Sequence, residues 1–218
     1  MRAPKIVGVI FSRADLERAV RMRKPPDFFE LRLDRLIKSA IGPLPAPLII
    51  TARDPREGGA NNLSAARRRA LLLEFLPRAA YVDVELRSAR ALRSVLESAS
   101  ENKVRTILSF HDFGTTPSDA RLDQIASQAR SSGAAVLKVA TRTDTAAQLD
   151  RLLDFWERQR PALDVVAMGI GKLGRACRFE LARRGNILNY VHLGSPAASG
   201  QLSIQELRRV ASRRDAVS

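Results

Sequence analysis

Eight apolar runs rich in β-branched residues recur along the chain, and nearly every stretch between them carries a helical pattern. The runs are IVGVIF (6–11), FFELRLD (28–34), LIITAR (48–53), YVDVELR (81–87), VRTILSFHD (104–112), AVLKVAT (135–141), DVVAMGI (164–170) and ILNYVHL (187–193). They are continuous or mixed apolar segments of the kind that parallel strands need when both faces are covered. Between them lie ADLERAVRM, AARRRALLLEFL, ARALRSVLESAS, DARLDQIASQARSS, TAAQLDRLLDFWERQ and GRACRFELARRG, and SIQELRRVASRR follows the last. Only residues 35–47 lack a helical pattern, because Pro43, Pro45 and Pro47 leave a short helix or a loop there. Eight strand–helix units without a linker or a change of composition predict a single (β/α)8 TIM barrel as one domain over residues 1–218. A doubly wound open sheet is the alternative. The 218 residues, 45% of them hydrophobic, suffice for the core of either fold.

One cysteine, Cys177, and two histidines provide neither an internal disulfide nor a Cys/His zinc set, so no metal site is expected. The apolar run between Lys5 and Ser12 is too short for a secretory signal, which predicts a cytoplasmic protein. The longest uncharged stretch, from Gly185 to Gln205, is broken by Asn186, Asn189, His192, Ser195, Ser199 and Gln201, so no membrane partner is expected. The net charge of +14 raises the question of nucleic acid. The basic residues are nearly all arginines, scattered among acids, and aromatic residues are 5% of the chain, too few for base stacking. No specific nucleic-acid partner is expected. The charge reads as a solvated surface, with attraction of a small anion as the functional alternative.

In a (β/α)8 barrel the reactive side chains project from the C-terminal ends of the strands. Those ends carry Glu30, Arg32 and Asp34, then Arg53 with Glu57 beyond it, then Asp83 and Glu85, and later His111, Lys138 and Met168. Lys138, inside VLKVA, either snorkels outward or points into the barrel mouth, where desolvation and Arg53 favour the neutral amine that attacks carbonyls. The competing reading pairs it structurally with Glu30 or Glu85. His111 ends the fifth strand and is followed by Asp112, a placement suited to proton transfer near neutral pH, against a core or capping role. His192 lacks charged neighbours in sequence and reads as structural.

GIGKLG (169–174) matches G-x-G-x-x-G after a strand and before a helix. A dinucleotide fingerprint belongs to a first βαβ unit with an acid ending the next strand, whereas this one follows the seventh strand and the eighth carries no acid. Its other use is to bring backbone and Arg178 close to a small anion, since arginine grips a carboxylate with two hydrogen bonds.

Taken in order, ELRLD (30–34), TARDPREGG (51–59), SFHDFGTTP (109–117), LKVA (137–140), MGIGKLGRACR (168–178) and SPAASGQLS (195–203) resemble the type I 3-dehydroquinate dehydratases over nearly the whole chain. The resemblance implies a (β/α)8 barrel that converts 3-dehydroquinate to 3-dehydroshikimate and water in the shikimate pathway, through a lysine Schiff base with histidine proton transfer. It implies Lys138 as the Schiff-base lysine, His111 as the proton shuttle, Glu57 as the acid that orients it, and Arg178 as the carboxylate-binding arginine. Glu30, Arg32, Arg53 and Gln201 match positions that contact the ring hydroxyls or order the site. It implies no cofactor, an anionic small-molecule substrate and a possible homodimer.

The chain departs from the pattern at Ala197, Ser199 and Cys177, where the family usually has serine, proline and serine. Two further readings stay open: another Schiff-base barrel lyase or aldolase, which explains Lys138 but not the spacing of Arg178 and Gln201, and a non-catalytic relative that binds a small anion.

Overall fold

The computed structural model describes residues 5–36 and 41–215, with side chains described through residue 209. The apolar runs form strands β1 (Lys5–Ile10), β2 (Phe28–Arg32), β3 (Leu48–Thr51), β4 (Ala79–Glu85), β5 (Arg105–Asp112), β6 (Val136–Arg142), β7 (Val165–Ile170) and β8 (Leu188–His192). Helices α1 (Arg13–Val20), α2 (Ala65–Phe75), α3 (Arg93–Glu101), α4 (Asp119–Ser131), α5 (Ala146–Gln159) and α6 (Gly174–Arg184) connect them, and α7 (Ile204–Asp215) follows. Residues 41–47 form no helix, and 37–40 of the proline-rich stretch lie outside the described residues. Side-chain caps from Ser12, Ser64, Ser118 and Thr145 start α1, α2, α4 and α5 by accepting otherwise unpaired N–H groups of the first turn.

Alternation along each strand divides the residues between two cores. Outward-facing Phe29, Leu31, Leu108, Leu137 and Val139 pack under the helices with Leu72, Leu122, Phe155, Trp156 and Leu181. Inward-facing Val7, Ile49, Tyr81, Ile107, Val136, Val166 and Leu188 fill the barrel below its mouth. Each such fully buried side chain contributes about 1.5–3 kcal/mol relative to exposure. One step toward the C-terminal ends, the inward positions turn polar: Glu30, Thr51, Asp83, Ser109 and Lys138, all buried. That switch places the charged groups on a rigid apolar floor.

All described pairings are parallel, in the order β7-β6-β5-β4-β3-β2-β1-β8-β9, where β9 (Leu202–Ser203) is a short strand absent from the sequence reading. The TIM-barrel expectation meets one local difference: among the described residues β7 and β8 share no ladder. Side chains bridge them instead. The Asn186 amide donates to the carbonyls of Ala167 and Leu188 at 3.3 and 3.0 Å, and its Oδ1 accepts the Ala167 N–H at 3.1 Å. Buried backbone groups on the β7 side of the seam thereby find partners that a neighbouring strand would otherwise supply. No described helix is long and apolar enough to cross a membrane.

Candidate active site

A cavity of about 290 Å³ opens at the C-terminal ends of the strands. Its wall includes Glu30, Arg32, Arg53, Glu57, His111, Lys138, Arg178 and Gln201, so every site residue expected from the sequence reaches one space. His192 is not part of that wall.

Lys138 stands on β6 with its side chain 4% exposed. Its Nζ lies 2.9 Å from Asp83 Oδ2 and 3.1 Å from Glu30 Oε1, and 4.0 Å from the centre of the Tyr190 ring. The lysine therefore both faces the cavity and forms ion pairs, but its second carboxylate is Asp83 and not Glu85. Tyr190 provides an electron-rich face beneath a cation, and Thr51 fixes Glu30 by donating to Oε1 at 3.0 Å.

Glu85 is engaged elsewhere because Arg53 reaches it first. The Arg53 guanidinium donates to Asp83 through both terminal nitrogens, to Glu85 Oε1 at 3.0 Å and to Ser109 Oγ at 2.6 Å. Burial alone would weaken its charge, yet Asp83, Glu85 and Glu30 outweigh burial and hold Arg53 more firmly protonated than usual. Burial pushes the Asp83 carboxyl up, but Arg53 and Lys138 together hold it well below the ordinary carboxylate range. Arg53 thus orders the carboxylates around Lys138 while also lining the cavity. Arg32 is similarly occupied, donating through Nε and Nη2 to Asp34 at 2.9 and 2.8 Å.

His111 is the penultimate residue of β5 and lies beside Glu57, which sits in a 3₁₀ turn (Pro55–Glu57) closed by left-handed Gly58. Glu57 Oε2 accepts the His111 backbone N–H at 3.0 Å and lies 2.9 Å from Nδ1. Burial and the nearby Glu85 push the Glu57 carboxyl up to about 7, against Arg53. Burial, Arg53 and Lys138 pull His111 well below the usual imidazole value, with Asp83 opposing them. The imidazole is therefore neutral at neutral pH, and with Nδ1 facing Glu57 its Nε2 is the nitrogen left for a ligand. Phe113 stacks on the imidazole, ring centres 6.3 Å apart.

Arg178 projects from α6 across the β7–β8 seam, donating to Gly169 O at 2.9 Å and Tyr190 O at 3.5 Å. Among the described residues no carboxylate pairs with it, although it is buried. Burial lowers it to about 10, so it stays charged at neutral pH. A buried cation without a counter-charge on a cavity wall awaits an anion. The glycines of GIGKLG serve this approach: a Cβ at Gly169 would strike Thr143 and Cys177, and one at Gly174 would crowd the Gly169 carbonyl. After β8, Ala197, Ala198 and Gln201 join the wall, where Gln201 Oε1 accepts the Ala197 N–H at 2.7 Å.

Sequence reasoning missed Arg35, Phe113, Tyr190 and Ala198 as wall residues and Arg68 beneath the wall. Tyr190 carried a usable signal, since it shares inward parity with Leu188 on the last strand.

Comparison with known proteins agrees with this geometry. The chain is 34% identical over 214 residues to the 3-dehydroquinate dehydratase of Thermococcus gammatolerans, covering 94% of this chain and 96% of that one. It is 34% identical over 189 residues to that of Pyrococcus abyssi, covering 84% and 85%. The crystal structure of 3-dehydroquinate dehydratase from Geobacillus kaustophilus superposes with a TM-score of 0.84 at 25% identity, covering 99% of this chain and 92% of that one. A type I enzyme from Clostridium difficile, at 22% identity, shares the fold with a TM-score of 0.85, covering 99% and 94%. The family described as Type I 3-dehydroquinase matches residues 11–216, and the chain belongs to that family.

Proposed function

We propose that this hydro-lyase dehydrates 3-dehydroquinate through an imine on Lys138, with His111 moving the protons. The supporting observation is the convergence on one cavity of a buried lysine, a histidine–carboxylate pair and a buried arginine without a counter-charge.

The substrate carboxylate pairs with Arg178, which sets the ketone toward Lys138. Nζ adds to the ketone carbon and the ketone oxygen leaves as water, taking two protons that Nζ and its paired carboxylates supply between them, forming an iminium. Glu30 and Asp83, which face Nζ at rest, then face the positive iminium. His111 takes the α proton, and the electron pair of that C–H bond flows into the iminium to give an enamine. The enamine returns the pair, the β-hydroxyl departs, and the proton on His111 completes it as water. Hydrolysis of the imine restores Lys138 and releases the conjugated enone. The water spent in hydrolysis equals the water lost on imine formation, so the net reaction is loss of one water. Glu57 holds the imidazole by Nδ1, and Arg32, Arg53 and Gln201 order the rest of the wall.

The same reading takes the chain as one cytoplasmic catalytic domain. It needs neither a metal nor an organic cofactor, because the imine is itself the electron sink.

The test is incubation with 3-dehydroquinate, following enone absorbance, and then borohydride with peptide mass mapping. The expected result is turnover and a reduced adduct on Lys138. An adduct on Lys172 or another lysine overturns the assignment of the nucleophile. Binding without turnover or adduct establishes the non-catalytic anion-binding reading.

A further inference from the structure

Arg68 projects from α2, outside the cavity wall, with a side chain 3% exposed. It donates to Glu85 Oε2 at 2.8 Å, to Asp54 Oδ2 at 2.8 Å and to Ser88 Oγ at 3.0 Å. Ser88 in turn donates to Asp54 Oδ2 at 3.1 Å. The other oxygen of Glu85 accepts the Asp54 N–H and an Arg53 N–H, both at 3.0 Å. Arg68 thus closes a buried ring that ties β4 to the start of the turn bearing Glu57, since the side chain of Asp54 caps that turn through the Arg56 N–H.

We propose that Arg68 is a positioning residue for proton transfer: it pins Asp54 and Glu85 under the Glu57 turn, and its charge offsets theirs where Glu57 meets His111. The inference rests on the reading of His111 as the proton carrier. An ionised carboxylate near another makes the second harder to ionise, and burial magnifies the effect. The charged groups facing Glu57 are Glu85 from β4, Arg53 from the end of β3, Arg87 with its Nε 3.9 Å away, and His111 from β5. Asp54 and Arg56 precede it in its own turn. Removing Arg68 leaves Glu85 and Asp54 with Arg53 and the exposed Arg56 as their cations, strengthens the negative field at Glu57, and raises the proton affinity of the Glu57–His111 pair.

The pair must be free of its proton to accept one from substrate, so the acidic limb of the kcat profile should move to higher pH in Arg68→Met. The expected displacement is about one pH unit, which is about a tenfold loss of kcat on the acidic side of the limb, with KM held within about twofold because Arg68 touches no substrate. Arg68→Lys keeps the charge and should restore the limb. Asp54→Asn is nearly isosteric, removes one carboxylate and should move the limb to lower pH, which supplies an opposite-sign measurement should Arg68→Met fail to fold. Limbs that coincide with wild type in the folded variants overturn the inference. A wild type without dehydratase turnover overturns the underlying reading instead, so the two failures are distinct.

Discussion

One oxygen of Glu57 meets His111 twice, 3.0 Å from its backbone nitrogen and 2.9 Å from Nδ1, so the position and the ring orientation of the histidine are fixed by the same atom. Nε2 is left to face the cavity. If His111 carries both proton transfers, His111→Ala should lower kcat by about 10²–10⁴-fold, the usual contribution of general acid–base catalysis. Imine formation needs only Lys138, so borohydride should still trap an adduct in the variant. Retention of kcat near wild type would return His111 to a purely structural role.

Glu57 also carries a signature in stability. Its carboxyl is raised from 4.5 to about 7, first by burial and then by Glu85. Over that range the folded protein binds the proton more tightly than the unfolded chain, so this group's contribution falls as pH rises from about 4.5 to 7. The cost approaches about 3 kcal/mol above pH 7. Glu57→Gln removes the titration. Relative to wild type it should be stabilised at pH 8 and nearly unchanged at pH 5, while losing activity. Denaturant unfolding of both proteins at the two pH values makes the comparison, and a gain confined to pH 5 would reverse the assigned sign.

The strand ends were legible because one physical rule, that reactive side chains stand at the C-terminal ends of barrel strands, selects Glu30, Arg53, Asp83, His111 and Lys138 without any structure. Arg68 was not, because it stands in a run of three arginines. Its signal was the helical spacing of Arg68 with Leu71, Leu72 and Leu76, all buried, while Arg67 and Arg69 are exposed. A charged residue at the head of an apolar stripe is easily assigned to the surface. The open β7–β8 seam was illegible for another reason. Strand count and spacing cannot report whether two neighbours pair through backbone or through an asparagine side chain.

Arg178 is expected to act mainly through binding. A charge-assisted hydrogen bond contributes about 1.5–3 kcal/mol, so Arg178→Gln should reduce kcat/KM by roughly 10- to 100-fold, chiefly by raising KM. A substrate analogue with a carboxamide in place of the carboxylate should bind both proteins equally weakly. The check is a pair of affinity measurements, and an equal loss for carboxylate and carboxamide would show that Arg178 acts only on the seam.

Asn186 should matter to stability more than its size suggests. In Asn186→Ala the N–H and carbonyl of Ala167 and the carbonyl of Leu188 each lose a partner at a buried seam. An unsatisfied buried group costs about 1–3 kcal/mol, and relaxation of the seam offsets part of the sum, so a loss of roughly 2–4 kcal/mol in unfolding free energy is expected. Chemical denaturation measures it, and a loss below about 0.5 kcal/mol would mean that the seam does not depend on this amide.

Ala197 tests how much this part of the cavity wall needs a hydroxyl. The residue lines the cavity, and its N–H already holds Gln201 Oε1 at 2.7 Å, so the backbone at this point is fixed without a serine side chain. A hydroxyl added there would supply one hydrogen bond, with a net contribution of about 0.5–1.5 kcal/mol, or up to about 3 kcal/mol against a charged carboxylate. Since about 1.4 kcal/mol is a factor of ten, Ala197→Ser should raise kcat/KM by no more than about tenfold through a neutral hydrogen bond, and by no more than about 150-fold if the hydroxyl meets the carboxylate. The grip of Arg178 and the placement of Gln201 do not depend on that oxygen, so wild type should already turn over. Steady-state kinetics of the two proteins decide the matter. An inactive wild type rescued by this one substitution would show that a hydroxyl at this point of the wall, and not the Lys138–His111 chemistry, is what this chain lacks.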